Sequence, residues 1–334
     1  MRPERSPAWE RLRGVLKRVA VGPEGSQSLT EAEAHEAMAL CLSREVSDIQ
    51  VAVFLVAMRL KRETFAENLG MLRALEAALV PRVVDADEVV LLSDPFDGYD
   101  RVPHFGPVIA AALSACGLPA FVTGAHALPP KYGVTHRQVL EHALGRTGPQ
   151  YLDVADFLPS LWALTPIREE MAKRTAVATL EKLVRPVQGR RATHLVSGYV
   201  HSAYEQLMVE LARAQGFATA LIVRGREGNV DLHTHRPTTL AGFRGDGSEV
   251  SWSLDPGELT REVPPADAET LRVETVAAAW TAALDGQGWP GAQVAVTAGA
   301  ILHHVGRVES FGEGAALILE GLRDGRARRA FEAR

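Results

Sequence analysis

Residues 89–123 read VVLLSDPFDGYDRVPHFGPVIAAALSACGLPAFVT, and the fold class turns on them. Val89 to Ser93 is a short apolar run of the length a buried strand takes, and Asp94, Pro95 and Gly98 end it as turn formers. From Val108 to Cys116 the apolar residues continue without alternation, as in a buried helix, and Pro107 suits its first turn. Pro119 to Thr123 is a second apolar strand. Strand, helix and strand in succession form the unit of a mostly parallel sheet flanked by helices, so the chain is expected to be an α/β protein.

Downstream, the pattern continues. Strands are expected at His194 to Val200, Thr219 to Val223 and Val250 to Leu254, with helices at His136 to Leu144, Ile167 to Leu183 and Ala203 to Gln215. Asp255 to Ala268, rich in proline and acids, reads as a connecting loop. Helices at Ala266 to Leu284, Gln293 to Val305 and Ser310 to Asp324 follow, and Arg326 to Arg334 is expected to fray. Upstream the period is helical throughout. Thr30 with Glu33 forms a capping box, Ser47 opens a second helix carrying Ile49, Val53, Phe54, Val56 and Ala57, and Thr64 caps a third with Leu69, Leu72, Leu75 and Leu79 on one face. A small all-helical domain over 1–82 and a large α/β domain over 83–330 are therefore expected.

With 334 residues and 46% hydrophobic content, the chain can bury a large core. Its two cysteines, Cys41 and Cys116, lie in apolar runs and supply neither a disulfide framework nor a zinc ligand set. The basic start lacks an uninterrupted apolar stretch, and no run approaches membrane-spanning length, so a cytoplasmic location is expected. A net charge of −5 argues against a protein coated in positive charge. Any nucleic-acid surface must then be local, built from basic segments such as Arg2 to Arg18 or Arg168 to Arg191.

Leu29 to Met38 and Glu45 to Thr64 resemble the N-terminal helical domain of the anthranilate phosphoribosyltransferase family, glycosyltransferase family 3, a segment shared in fold with pyrimidine nucleoside phosphorylases. Arg168-Glu-Glu-Met-Ala-Lys-Arg-Thr175 is similar to the family's Arg-x-Glu-Leu-Gly-x-Arg-Thr helix, and Ala220 to Gly228 to its later strand and turn. The resemblance implies that the helical domain, joined in space by part of the 165–190 helix, forms a homodimer. It also implies an active site in the inter-domain cleft, where phosphoribosyl diphosphate binds with magnesium and an aromatic amine displaces diphosphate.

That chemistry needs close backbone N–H groups, cations for the phosphates and acids for the metal. Where the family has Gly-Thr-Gly-Gly-Asp, this chain has Asp94-Pro-Phe-Asp-Gly-Tyr-Asp-Arg101. Pro95 lacks an amide donor, Phe96 obstructs approach, and only Gly98 stays permissive, while Asp94, Asp97 and Asp100 repel a diphosphate unless they recruit magnesium, or else simply cap turns and the next helix. The family's Asn-x-Ser-Thr corresponds to His104-Phe-Gly-Pro107, and its Lys-His-Gly-Asn-Arg to Val122-Thr-Gly-Ala-His126, which keeps Gly124 alone. Its magnesium signature, Asp-Gly-Leu-Asp-Glu, reads Glu227-Gly-Asn-Val-Asp231, making Glu227 and Asp231 the metal candidates. Arg168 matches the arginine associated with anthranilate recognition, or else serves in a surface salt bridge beside Glu169 and Glu170.

The loop Asp97-Gly-Tyr-Asp-Arg101 is closer to a diverged branch with Asn/Asp-Gly-x-x-Arg, some members of which are described as nucleic-acid binders. Arg101, His104, His126, Lys131, Tyr132, His136 and Arg137 offer phosphate contacts and stacking, as does Tyr99 unless it packs within the loop. Lys17, Arg18, Arg59, Lys131 and Arg174 would bind a strand if they converge. His233 and His235 beside Asp231 are a weaker metal candidate. Two readings stay open. One is a binding protein for nucleic acid or another phosphorylated ligand; the other is a transferase using a pentose-phosphate donor with magnesium.

Overall fold

The computed structural model describes residues 5–22 and 24–333, so Arg2 and Arg334 lie outside the described residues. The chain divides into two compact units, one of residues 1–80 and 154–186, the other of 81–153 and 187–334.

The first unit opens with α1 (Pro7–Val19), α2 (Glu31–Ser43), α3 (Asp48–Lys61) and α4 (Phe65–Ala77). Thr30, Ser47 and Thr64 each accept from the N3 amide while the Glu33, Gln50 and Glu67 side chains reach back, so all three expected caps form as capping boxes. Glu67 has further roles in this unit. Buried at 0% exposure, it accepts the Leu29 amide at 2.7 Å and both oxygens meet Lys61 Nζ at 2.7–2.8 Å, which satisfies an otherwise costly interior charge.

The chain then enters the second unit with β1 (Arg82–Val83), β2 (Glu88–Ser93), α5 (Gly106–Ala115), β3 (Ala120–Gly124), α6 (His136–Leu144) and β4 (Tyr151–Asp153). It returns to the first unit for α7 (Val154–Phe157), α8 (Pro159–Trp162), α9 (Thr165–Met171) and α10 (Val177–Leu180). The single helix expected over 165–190 is thus broken. Ala172 adopts the left-handed conformation, φ 50°, and Arg168 donates to Glu181 at 2.8 and 3.1 Å. Thirteen residues of continuous helix would hold those two roughly 20 Å apart. The ion pair therefore requires the chain to turn back.

The second unit resumes with β5 (Val187–Gln188), β6 (Ala192–Tyr199), α11 (Glu205–Ala214), β7 (Thr219–Arg224), β8 (Thr238–Phe243) and β9 (Glu249–Leu254), and ends with α12 (Val273–Leu284), α13 (Gly288–His304), α14 (Phe311–Arg323) and α15 (Arg326–Glu332). Its seven-stranded sheet has the order β4-β3-β2-β6-β7-β8-β9, parallel from β4 to β7 and antiparallel beyond, as expected of a mostly parallel sheet. β1 and β5 form a separate parallel pair. In the main register Leu91 faces Phe121 on one side and Leu195 on the other. Fully buried strands of this kind read as continuous apolar runs, which is why they were visible in the sequence.

Three expectations need correction here. The helix expected from Ala266 begins at Val273, because 266–272 bends at Glu269–Thr270 and the Ala268 and Leu271 amides donate to Arg101 and Asp100 carbonyls at 2.9 Å. β8 was unforeseen, its Thr-Thr-Leu-Ala-Gly-Phe lacking both alternation and a long apolar run. The expected fraying from Arg326 gives way to α15, held by buried Ala327 and Phe331 and by Arg146, which donates to the Glu332 and Ala333 carbonyls. Among the described residues, no helix is long and apolar enough to cross a membrane.

Candidate functional site

β2 runs to β3 on one side and the chain continues from β6 to β7 on the other, so the strand order reverses between β2 and β6. In open α/β sheets, ligands bind beyond the carboxyl ends of the strands at such a point. Here the loops after β2, β3 and β7 meet.

The loops after β2 and β3 are bonded to each other. Tyr99 and Val134 exchange amide hydrogen bonds at 2.8 and 3.0 Å, the Gly133 amide donates to the Asp97 carbonyl at 2.9 Å, and Lys131 Nζ donates to the Gly98 carbonyl at 3.0 Å. Gly98 sits at φ 77° against the Gly133 carbonyl, where a Cβ would come within 2.4 Å of oxygen. A glycine is required there by both conformation and space.

Next, the loop after β7 is fastened onto the loop after β2. The amides of Asp100, Arg101 and Val102 point successively at the Glu227 carboxylate, at 3.1, 3.1 and 3.2 Å. Such a run of N–H groups forms a nest that attracts anions. Its anion is a side chain of the same protein. Glu227 also pairs with Lys131. Burial pushes its carboxyl up, but Lys131 and the Asp100 and Arg101 amides outweigh this and leave it below the ordinary carboxylate range.

Beneath the nest lies a buried polar cluster. Asp94, fully buried, accepts from the Val230 amide at 2.8 Å and meets His136 Nε2 at 2.7 Å. Tyr99, 1% exposed, stacks on His104 with ring centroids 4.1 Å apart, while His104 lies edge-on to His136 and its carbonyl accepts from Trp280 Nε1. Burial, with His136 adjacent, holds His104 far below the usual imidazole range, so it is neutral. Asp231 accepts from the Phe105 amide at 3.3 Å and Asn229 Nδ2 at 2.6 Å. Burial and the charge of Asp94 drive its carboxyl well above the usual range.

The sequence candidates separate on this geometry. Asp94, Gly98, Tyr99 and His104 come together, but as interior structure: the stacking expected of Tyr99 is on His104. Asp97 is buried, whereas Asp100 and Arg101 are exposed. Gly124 ends β3 beside the Tyr151 ring, and His126 is exposed, 3.7 Å from Glu141. Tyr132 is 48% exposed in the left-handed conformation, φ 52°. Lys131 is spent on Glu227. Arg168 is neither exposed nor paired with Glu169 or Glu170; it is 8% exposed and grips Glu181 in the helical unit. There too, Arg18 pairs with Glu33, Arg59 lies 3.9 Å from Glu63, and Lys17 and Arg174 are exposed.

Glu227, Asp231, His233 and His235 are not arranged to hold a magnesium ion. Glu227 is occupied by three amides and a lysine, Asp231 accepts from the Phe105 amide and Asn229 Nδ2, and His233 and His235 stack edge-to-face with centroids 5.7 Å apart. Among the described residues no group of three or more His, Cys, Asp or Glu side chains is arranged to hold a metal. The pairing of Asp94 with His136 was not read from sequence, where 42 positions separate them. The available signal was Thr135, which caps α6 and so puts His136 in its first turn, above the sheet.

Comparison with known proteins agrees with this frame. Residues 13–78 match the helical bundle domain of a glycosyl transferase family, and residues 135–328 match its a/b domain. A protein of uncharacterised function from Aquifex aeolicus is 30% identical over 76% of this chain and 79% of its own length. The anthranilate phosphoribosyltransferase of Methylocella silvestris is 27% identical over 95% and 92%. Among solved structures, that of the anthranilate phosphoribosyltransferase from Thermus thermophilus superposes with a TM-score of 0.71 at 23% identity, covering 96% of this chain and 97% of its own. The Saccharomyces cerevisiae enzyme, in complex with PRPP and Mg, gives 0.75 at 14% identity, covering 97% and 96%.

Proposed function

The chain belongs to the glycosyl transferase family that includes the anthranilate phosphoribosyltransferases, and we propose that it is a binding member that has given up phosphoribosyl transfer. The observation that carries this reading is the Glu227 carboxylate on the Asp100–Val102 amides. A diphosphate arriving at this loop meets amides already bonded to a carboxylate and a lysine already neutralised. Displacing Glu227 would leave a charge in a site 12% exposed, which costs several kcal/mol, on the order of the whole benefit of a phosphate contact. Phe96 and Tyr99 of the same loop are buried, so their side chains occupy space that glycines would leave open.

The ligand we infer is a polyanion, nucleic acid or another phosphorylated molecule, held at exposed positions and not in the buried cluster. Arg101, His126 and Tyr132 present a cation, an imidazole and an aromatic face at the same strand ends. A homodimer through the helical unit would double any such surface, and α3 supports it with Ile49 76% and Leu60 73% exposed.

Calorimetric titration with phosphoribosyl diphosphate and magnesium, beside single-stranded DNA at two salt concentrations, tests the reading. DNA affinity that falls steeply with salt, with no heat from the donor, is expected. Tight donor binding would sink it.

A further inference from the structure

The loops after β2 and β3 and the segment before α12 line a cavity of about 450 Å³ that opens to solvent. That volume lies within the range of small-molecule pockets. Its walls are Tyr99 to Arg101, Tyr132 to Val134 and Ala268 to Leu271, and backbone bonds tie them together. The Ala268 and Leu271 amides donate to the Arg101 and Asp100 carbonyls at 2.9 Å, and Tyr99 and Val134 exchange hydrogen bonds at 2.8 and 3.0 Å. The cavity is therefore preformed. Tyr132 is the outlier in its lining, with φ at 52°, in the left-handed region, and 48% exposure. Its amide donates to the Leu128 carbonyl at 3.1 Å, and the Gly133 amide to the Asp97 carbonyl at 2.9 Å, which holds the turn in that conformation. A strained turn that leaves a tyrosine half in water gains little from burial; what it supplies is an aromatic face at a fixed place.

Charge decides what that face receives. Asp100 and Glu269 put carboxylates in the lining, so a phosphate is repelled from the interior, while exposed Arg101 supplies a cation. Among the described residues neither Arg101 nor Glu269 takes part in an ion pair, whereas the Asp100 carboxylate lies 3.8 Å from Lys131 Nζ. An unpaired carboxylate beside an aromatic face matches a planar base with two adjacent N–H donors. Guanine offers them as its N1–H and 2-amino groups; adenine, cytosine and thymine each set an acceptor beside the donor on that edge, and a carboxylate repels it.

We propose that this cavity is a guanine pocket, in which Tyr132 stacks on the base, Glu269 accepts from its N1–H and 2-amino groups, and Arg101 meets the attached phosphate outside. It rests on the phosphorylated ligand inferred above, whether a single strand or a free nucleotide carries the base. Asp100 keeps phosphate out of the interior and so fixes which end of the nucleotide enters.

The test is fluorescence anisotropy of the full chain with labelled oligothymidines, each carrying one central guanine, inosine, adenine or cytosine. The guanine strand should bind about tenfold tighter than the adenine and cytosine strands. Inosine lacks only the 2-amino group and should lose most of that advantage. Glu269→Gln should abolish the preference, read as the ratio of guanine to adenine affinity within the variant. Tyr132→Ala should weaken the guanine strand about tenfold, and Tyr132→Phe, which keeps the ring, should not. Both side chains are exposed, so the variants carry little risk to folding. Calorimetry with guanosine and adenosine monophosphates separates the sources: a guanine nucleotide that binds where no strand does identifies a free ligand. Equal affinity for all bases in strand and nucleotide alike, or a guanine preference untouched by Glu269→Gln, overturns the pocket and leaves the polyanion reading standing. No binding of any strand or nucleotide sinks both.

Discussion

Glu227 concentrates the argument at the level of single residues. Its carboxylate, in the loop after β7, meets Lys131 of the loop after β3 and three amides of the loop after β2, which itself carries Asp94, Asp97 and Asp100, so a substitution there removes a group that holds the loops after β2 and β7 together. Glu227→Gln is expected to lower stability by about 2–3 kcal/mol at pH 7, as for loss of a largely buried charge-assisted network. The pH dependence follows in sign. The folded carboxyl lies below its unfolded value, so the contribution is complete above about pH 4.3 and disappears as pH falls through the folded value. Thermal unfolding between pH 7 and 3 checks this, since wild type should lose more on acidification than the glutamine variant. Equal losses would mean that the carboxylate is not engaged in solution. Only part of this site could be read from residue types. Lost glycines and a lost lysine mark a vanished phosphate cradle, but nothing local to Glu227 indicates amides more than a hundred positions away.

Secondary-structure elements were far more legible, for a physical reason. Side chains within one element announce its period and caps locally, whereas a pairing such as Arg168 with Glu181, which breaks the expected helix, depends on where the chain turns back. β8 escaped notice because its Thr, Ala and Gly positions are licensed by neighbours on both sides and not by intrinsic preference. The same dependence on neighbours appears where α13 crosses α14. A Cβ on Gly299 would come within 2.4 Å of the Ala315 amide nitrogen, and one on Gly314 within 2.5 Å of the Gly299 carbonyl, so the two backbones touch through paired glycines. Gly299→Ala should therefore destabilise by about 1–3 kcal/mol despite alanine's better helix propensity, because the helices must separate. Denaturant unfolding measures it. A stabilised variant would show that the crossing is looser than these contacts imply.

On the scale of the molecule, net charge and exposed apolar surface point to assembly. At −5 the chain gains little from long-range attraction to a polyanion, so the binding function we propose would gain from a second copy carrying its own exposed Arg101, His126 and Tyr132. The homodimer we propose would use the helical unit. Ile49, Val53, Val56 and Leu60 recur at the spacing of one helical face; Val53, Val56 and Leu60 also border an apolar trough with Val19 of α1. Ile49 and Leu60 are 76% and 73% exposed, and Val21 and Phe65 add 59% and 39% in the same unit, a concentration of apolar side chains rarely left to water on a monomer. Light scattering of the purified chain should accordingly give twice the 36.1 kDa of one copy. Leu60→Glu combined with Val53→Glu should weaken self-association by more than about tenfold, by burying charge at the contact. Thermal unfolding of the double variant should remain cooperative, because both side chains are on the surface of α3. A wild-type chain that stays monomeric at micromolar concentration would remove both the dimer and the doubled ligand surface, leaving each copy to bind its polyanion alone and more weakly.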